Sequence, residues 1–292
     1  MGDSGESTVQ WLWDRQSVWS QAADRAKRAI GRARTVALVL GVAGACAGTA
    51  AAQVMAWSEG AGKALALVAA VAVGLVPLTA RAAGPQQVRD WTRLRALSEE
   101  LKSELYAYLA RVAPYRDADA SRVLLDRAEL ALADAGDLAG RTLALAPRRR
   151  ALPAVTDVGS YAQVRVAGQI EDYYRPRAAL MSRRGAQVRW AELALAALAV
   201  VLGAVSVVFG ADWATAWVAT VTTVAAAVTA HAAAARYAYQ ELEFSRTAAE
   251  LERLSARRAQ GADPAADDAF VGRCERVISA QNEGWTAKWR SA

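Results

Sequence analysis

The chain has 292 residues, of which 22% are charged and 54% hydrophobic, with a formal net charge of +6. One histidine and two cysteines, Cys46 and Cys274, exclude a zinc centre of ordinary composition. They exclude a disulfide framework too, because the cysteines fall on segments that cannot meet. The positive excess gathers beside apolar runs, which favours membrane-surface electrostatics, and no nucleic acid is expected as a partner.

The first 35 residues mix Asp3, Glu6, Asp14 and Asp24 with basic side chains, unlike the apolar core of a cleaved signal. An apolar run over 36–57 follows, and a second over 64–80 returns from it after a turn at Ser58–Lys63. A second pair runs over 193–210 and 213–235, joined at Gly210–Asp212. Each run approaches the ~20 residues with which a helix crosses ~30 Å of hydrocarbon. The expected fold is an all-α membrane protein: two parallel two-helix transmembrane hairpins with extended cytoplasmic helices.

Basic residues set the orientation. Arg25, Lys27, Arg28, Arg32 and Arg34 precede the first run, and Arg81 and Arg89 follow the second. Arg183, Arg184 and Arg189 precede the third, Arg236 follows the fourth, and the two turns hold only Lys63 between them. A Lys/Arg excess in short loops marks the cytoplasmic side. Both termini and the central segment are therefore expected in the cytoplasm, in a multi-pass inner-membrane protein. The Ala-, Arg- and Val-rich composition suits a high-GC bacterial genome.

The halves resemble each other at an offset of about 150 residues. Each runs aromatic-bearing basic helix, span, turn, span, charged helix. The expected organisation is a first unit over 1–115, a Pro-containing helical linker over 116–160, and a second unit over 161–292. Within the linker, Val123, Leu124 and Leu130 keep helical spacing with Gly136 as a stop, and Arg148–Arg150 is read as solvated loop. Two units that each cross twice enter with the same orientation, related by an axis along the membrane normal.

Small residues mark two span faces. Gly41, Gly44 and Gly48 line the first span as a helix-packing face, the usual device for close approach in lipid. On the fourth, Thr215, Thr222 and Thr229 recur every seven residues, with Ala219 and Ala226 between them. This stripe has two readings, a helix–helix interface and a neutral pore wall. Pro77 near the end of the second span reads as a bend or a gating hinge. His231, the only histidine, reads as a hydrogen-bonded residue or a pH-sensitive cytoplasmic gate. No charged residue lies in the middle third of any span, which argues against a proton-coupled transporter. Phosphate loops and nucleophile systems are absent, so no enzyme, no catalytic residue, no metal and no cofactor is expected.

Large aromatics crowd the helices outside the spans: Trp19 before the first, Trp91 after the second, Tyr173 and Tyr174 before the third. The last helix carries Phe270, Val271, Cys274, Val277, Ile278, Trp285 and Trp289 as an amphipathic stripe. These residues imply a cytoplasmic helical bundle, with a helix lying on lipid as the rival for 270–289.

The pattern Tyr161-x3-Arg165-x3-Gln169-Ile170-x2-Tyr173-Tyr174-x3-Ala178, then a two-span hairpin, then Cys274-Glu275-x2-Ile278-Ser279-x2-Asn282-Glu283-x-Trp285, resembles the SLATT family. These are bacterial two-transmembrane effector domains associated with SMODS nucleotidyltransferases and SLOG sensors. Trp91-x3-Arg95-Ala96-x2-Glu99-x2-Lys102-x-Glu104-Leu105-Tyr106 resembles another branch, making the chain a tandem. Gln281 stands where family members often carry an acid. The resemblance implies a homo-oligomeric pore in the lipid bilayer, opened in antiviral responses through a cytoplasmic nucleotide-signalling partner. The alternative is a scaffolding inner-membrane protein that recruits cytoplasmic partners through its aromatic helices.

Overall fold

The computed structural model describes residues 2–259 and 264–290, with side chains over 7–259 and 265–280. Among these residues the chain is helical and contains no strand. Its elements are α1 (Gly2–Met55), α2 (Glu59–Arg81), α3 (Pro85–Leu109), α4 (Ala120–Asp134), α5 (Val158–Tyr161), α6 (Arg175–Phe209), α7 (Asp212–Ala235), α8 (Tyr237–Arg258) and α9 (Pro264–Arg290). They sort into two compact units, and each unit draws on both sequence halves. Unit 1 comprises Met1–Arg28, Pro85–Ala178 and Leu242–Ala292; unit 2 comprises Ala29–Gly84 and Ala179–Glu241.

Unit 1 is built like a water-soluble domain. Leu12, Leu101, Leu105, Leu124 and Leu251 are fully buried, and each such side chain stabilises by about 1.5–3 kcal/mol relative to exposure. Helix α3 lies at the centre and packs against both α4 and α9. Leu124 and Ala128, one turn apart, fix the inner face of α4. A 3-10 turn over Gly136–Arg141 follows, where Arg93 grips Asp137 through bonds of 2.5 and 2.8 Å.

Between α5 and α6 the backbone winds as π-helix over Ala162–Ala167 and Gln169–Tyr174. Tyr161, Arg165, Val166, Ile170 and Tyr174 are the buried positions of this stretch, and apart from the adjacent pair Arg165–Val166 they follow one another at steps of four. That spacing exceeds the 3.6 of an α-helix, so a wider turn keeps every one of them on the inner face. A capping box of Asp157 and Ser160 fixes the start of this segment one residue before Tyr161.

Unit 2 has the opposite character. Val200, Val207 and Phe209 are 73%, 85% and 77% exposed. Among the described residues four helices are long and apolar enough to cross a membrane, and at most 17% of any of their apolar windows is buried inside the chain. Side chains of this kind need hydrocarbon around them. The chain is a membrane protein.

Both hairpins keep a constant antiparallel register. Gly44 faces Val73 and Gly48 faces Ala69, and the same register sets Met55 against Gly62 at the turn. A Cβ on Gly44 would lie 2.7 Å from Val73 Cγ2, so only glycine allows this approach of α1 and α2. Ser58 caps α2, and Glu59 pairs with Lys63 at 2.6 Å, so the turn is shorter than the Ser58–Lys63 expected and Lys63 is helical. In the second hairpin Ser206 bonds Thr215 at 2.5 Å and Thr229 donates to Glu192 at 2.7 Å, fourteen residues further from the turn on each helix. Gly210, at φ +62°, turns the chain between them.

Helices α1 and α7 also pair. Thr49 bonds Thr220, and Arg34 donates to the Ala234 carbonyl at 3.2 Å. The two contacts lie fourteen to fifteen residues apart on both helices, so α1 and α7 run antiparallel side by side for ~22 Å.

Candidate functional site

In unit 2, Thr215, Ala219, Thr222, Ala226 and Thr229 are all exposed, so the stripe forms one outward face of α7. Its hydroxyls are satisfied locally. Thr222 donates to the backbone of Val218 and Ala219, whereas Thr215 and Thr229 engage Ser206 and Glu192 of α6. Hydroxyls so paired carry little penalty whether lipid, a neighbouring helix or water lies outside.

Beside the stripe a hollow of about 430 Å³ opens among α1, α2 and α7, lined by Gly41, Gly44, Thr49, Val73, Ala219 and Thr223 among others. One stripe residue, Ala219, belongs to it. Gly44 and Gly48 meet α2, while a Cβ on Gly41 would touch nothing within 4 Å. Pro77 is exposed, and α2 continues past it to Arg81. His231 is half-buried. Thr220, buried against Thr49, lies off the predicted stripe; two threonines at matching depth on spans of different hairpins were its signal in the sequence.

The second constellation is an ionic cluster in unit 1. Helix α3 presents Arg95, Glu99, Lys102 and Tyr106 along one face, at spacings of four, three and four. Arg165, 1% exposed, comes from the π-helical segment and Glu275, 6% exposed, from α9. The Arg165 fork binds Glu275 through Nε at 3.0 Å and Nη2 at 2.9 Å, and Glu99 lies 3.8 Å away. Tyr161 donates to the same Glu275 carboxylate at 2.8 Å. Nη1 of Arg165 makes no hydrogen bond, but the guanidinium carbon lies 4.7 Å from the Tyr106 ring centroid, a cation–π distance.

The charges decide the titration. Burial pulls the Arg165 pKa down, yet Glu275 and Glu99 together hold it above its ordinary value. Burial raises Glu99, and Arg95, Lys102 and Arg165 override it and hold the carboxyl below its usual range. Lys102 is the third cation facing two carboxylates; burial first, and Arg165 next, lower it to about 8. Burial pushes the Cys274 thiol up to about 12, well away from a reactive thiolate. The cluster offers no reactive thiolate. It clamps α9 and the π-helical segment to α3.

Around the clamp, the unit buries Trp19 and Tyr174 and half-buries Trp91 and Tyr173. Trp19 and Tyr174 are 5% and 1% exposed, and Trp91 is half-buried with Lys27 over its ring. Tyr173 and Tyr174 each pack against Phe244. Phe270, Val271, Cys274 and Ile278 of α9 are buried, so this part of the last helix packs on protein and not on lipid. Trp285 and Trp289 lie outside the residues whose side chains are described.

Arg148 and Arg149 are exposed, but Arg150 departs from the expected solvated loop. Its guanidinium stacks 3.3 Å from the Trp13 ring and donates to the Trp13 carbonyl and to Gln16. Those contacts offset part of its desolvation, and burial still holds its pKa below the ordinary value.

In the sequence Arg165 and Glu275 stand only as landmarks of a resemblance. Their pairing had a signal nonetheless. Each is a lone charge on an otherwise apolar, aromatic stripe, and a buried charge must find a partner.

Residues 161–285 match the family model described as SMODS and SLOG-associating 2TM effector domain 1. Residues 17–122 match that of DUF4231, a protein family of unknown function. No curated protein and no solved structure matches the chain.

Proposed function

Because this chain belongs to the SLATT family through its second half, we propose that it acts as a membrane effector by assembling copies of itself into a pore. The proposal places it in a bacterial inner membrane with both termini in the cytoplasm, since seven arginines of unit 2 lie at the ends of the spans and only Lys63 lies at a hairpin turn. The first half serves as a second unit of the same kind, so each chain contributes two hairpins.

One observation carries this reading. Helices α2 and α6 turn Leu67, Val71, Val200 and Val207 outward, whereas α7 turns out a face of alternating threonine and alanine. Lipid gains little from that face, while a neighbouring copy or a file of water fits it. In an assembly Thr215, Thr222 and Thr229 would line a neutral path with little charge discrimination. Unit 1 would receive the trigger, a nucleotide-sensing or stress-sensing partner, and pass it on by loosening its ionic clamp. The reading assigns no catalytic step.

Cysteine accessibility tests it. In a background lacking Cys46 and Cys274, Thr222→Cys is expected to react with a membrane-impermeant thiol reagent, and Val200→Cys to stay unreactive. An unreactive Thr222→Cys in the assembled protein removes the water path and leaves a scaffold, whose stripe only packs.

A further inference from the structure

We propose that the paired cytoplasmic ends of α1 and α7 form a headgroup site for an anionic phospholipid. The inference rests on membrane insertion and is independent of the pore.

The antiparallel pairing of α1 and α7 brings two arginines from different hairpins to one place. Arg34 is fixed by its bond to the Ala234 carbonyl, a backbone acceptor left over at the end of α7. Arg236 follows two residues later and lies close enough to act electrostatically on Arg34, as Arg34 does on His231. Two guanidinium groups held together repel, and an anion bound between them removes that repulsion while accepting from both forks.

Depth selects the anion. Arg34 stands two residues before the apolar run of α1 and Arg236 one residue after that of α7. Two independent span ends thus put both guanidiniums at the level where phospholipid phosphates lie. Local carboxylates are scarce. Over Ala29–Gly84 and Ala179–Glu241 the sequence puts seven arginines and two carboxylates, Glu192 and Glu241, near the cytoplasmic span ends, and Glu192 accepts from Thr229.

The backbone adds a second sign. Arg236 occupies the left-handed region at φ 51° and ψ 44°, capping α7, a position for which glycine is the usual choice. An arginine there accepts backbone strain in exchange for a charge at that spot.

This strain supplies a discriminating variant. Arg236→Gly suits the turn better than arginine does, so it keeps the fold while removing one guanidinium. The full chain is placed in phosphatidylcholine nanodiscs with rising fractions of phosphatidylglycerol, and thermal unfolding is followed by tryptophan fluorescence. Wild type is expected to gain melting temperature in a saturable way. Arg236→Gly is expected to match or exceed wild type in pure phosphatidylcholine and to lose about half of the phosphatidylglycerol shift, one of the two guanidiniums being gone. The double variant R34Q/R236G is expected to lose most of it, and R183Q/R184Q, with the same charge loss on α6, to retain it.

Equal losses in R236G and in either single variant R183Q or R184Q would mean only diffuse surface attraction and would overturn the site. So would a wild type indifferent to phosphatidylglycerol. Stabilisation by inorganic phosphate in pure phosphatidylcholine, abolished by R236G, would assign the arginines to a soluble anion and overturn the lipid.

Discussion

Units 1 and 2 solve the same problem in opposite solvents. In unit 1 Leu94, Leu97, Leu101 and Leu105 of α3 and Leu124 of α4 are buried, and charged groups that follow them inside are paired, as in the Arg165–Glu275 fork. In unit 2 the aliphatic side chains point outward and glycines, alanines and threonines meet inside, as at Gly44–Val73 and Thr49–Thr220. Water drives the first arrangement through apolar burial. The second gains nothing from that effect between helices and relies on close approach and small hydrogen bonds. One chain therefore carries two kinds of weak point, and substitutions should sort by unit.

The largest expected effect is in the clamp. Glu275→Ala leaves Arg165 charged and buried without its fork partner, which costs about 3–5 kcal/mol. The double change R165M/E275L replaces both charges by apolar groups and should recover most of that loss. Chemical denaturation of unit 1, followed by the fluorescence of Trp13, Trp19 and Trp91, measures both. A double variant as unstable as the single one would mean that packing, and not the unpaired charge, dominates.

Next comes Gly44→Leu, which drives a side chain into Val73 where α1 and α2 approach closely. It should cost about 1–3 kcal/mol, the usual penalty of overpacking, and loosen the α1–α2 hairpin while the unit 1 transition stays in place. Cross-linking between cysteines at Gly48 and Ala69 reports the separation.

Lys102 gives a smaller, pH-dependent effect. Between about pH 8 and the ordinary lysine range near 10.5, the unfolded chain binds a proton that the folded chain has released. Its contribution to stability therefore rises with pH over that interval. Lys102→Met should raise the melting temperature at pH 7 by about 2–4 °C, roughly 1 kcal/mol, and the advantage should shrink by pH 9. An advantage independent of pH would place its origin in packing.

Thr220→Val is the mildest change. It removes the Thr49 bond and keeps the shape, at a cost of about 0.6 kcal/mol, typical of such bonds in membranes. A loss above ~2 kcal/mol would mean that this bond does more than join α1 to α7.

The four spans and the all-helical fold were legible because a bilayer imposes length and hydropathy on every crossing segment. Of the small residues Gly41, Gly44 and Gly48 on the first span, Gly44 and Gly48 lie against α2 and Gly41 does not. Three features were hidden. The π-helical winding over 162–174 leaves only a widened spacing of buried residues, from Tyr161 to Tyr174, which is easily taken for a ragged α-helical stripe. The Arg165–Glu275 pair joins residues 110 apart, and no local pattern encodes such a distance. The crossing of α1 with α7 depends on register between hairpins, which Thr49 and Thr220 betray only once the helices stand side by side. Arg150 looks like solvated loop by its local composition, because Trp13, its stacking partner, lies 137 positions earlier.

The most direct test of the central claim is solute flux from liposomes carrying the purified, folded chain. The account predicts release that discriminates weakly between cations and anions and that falls when Thr222 becomes leucine. Vesicles that stay sealed under every condition, candidate nucleotides included, would contradict it.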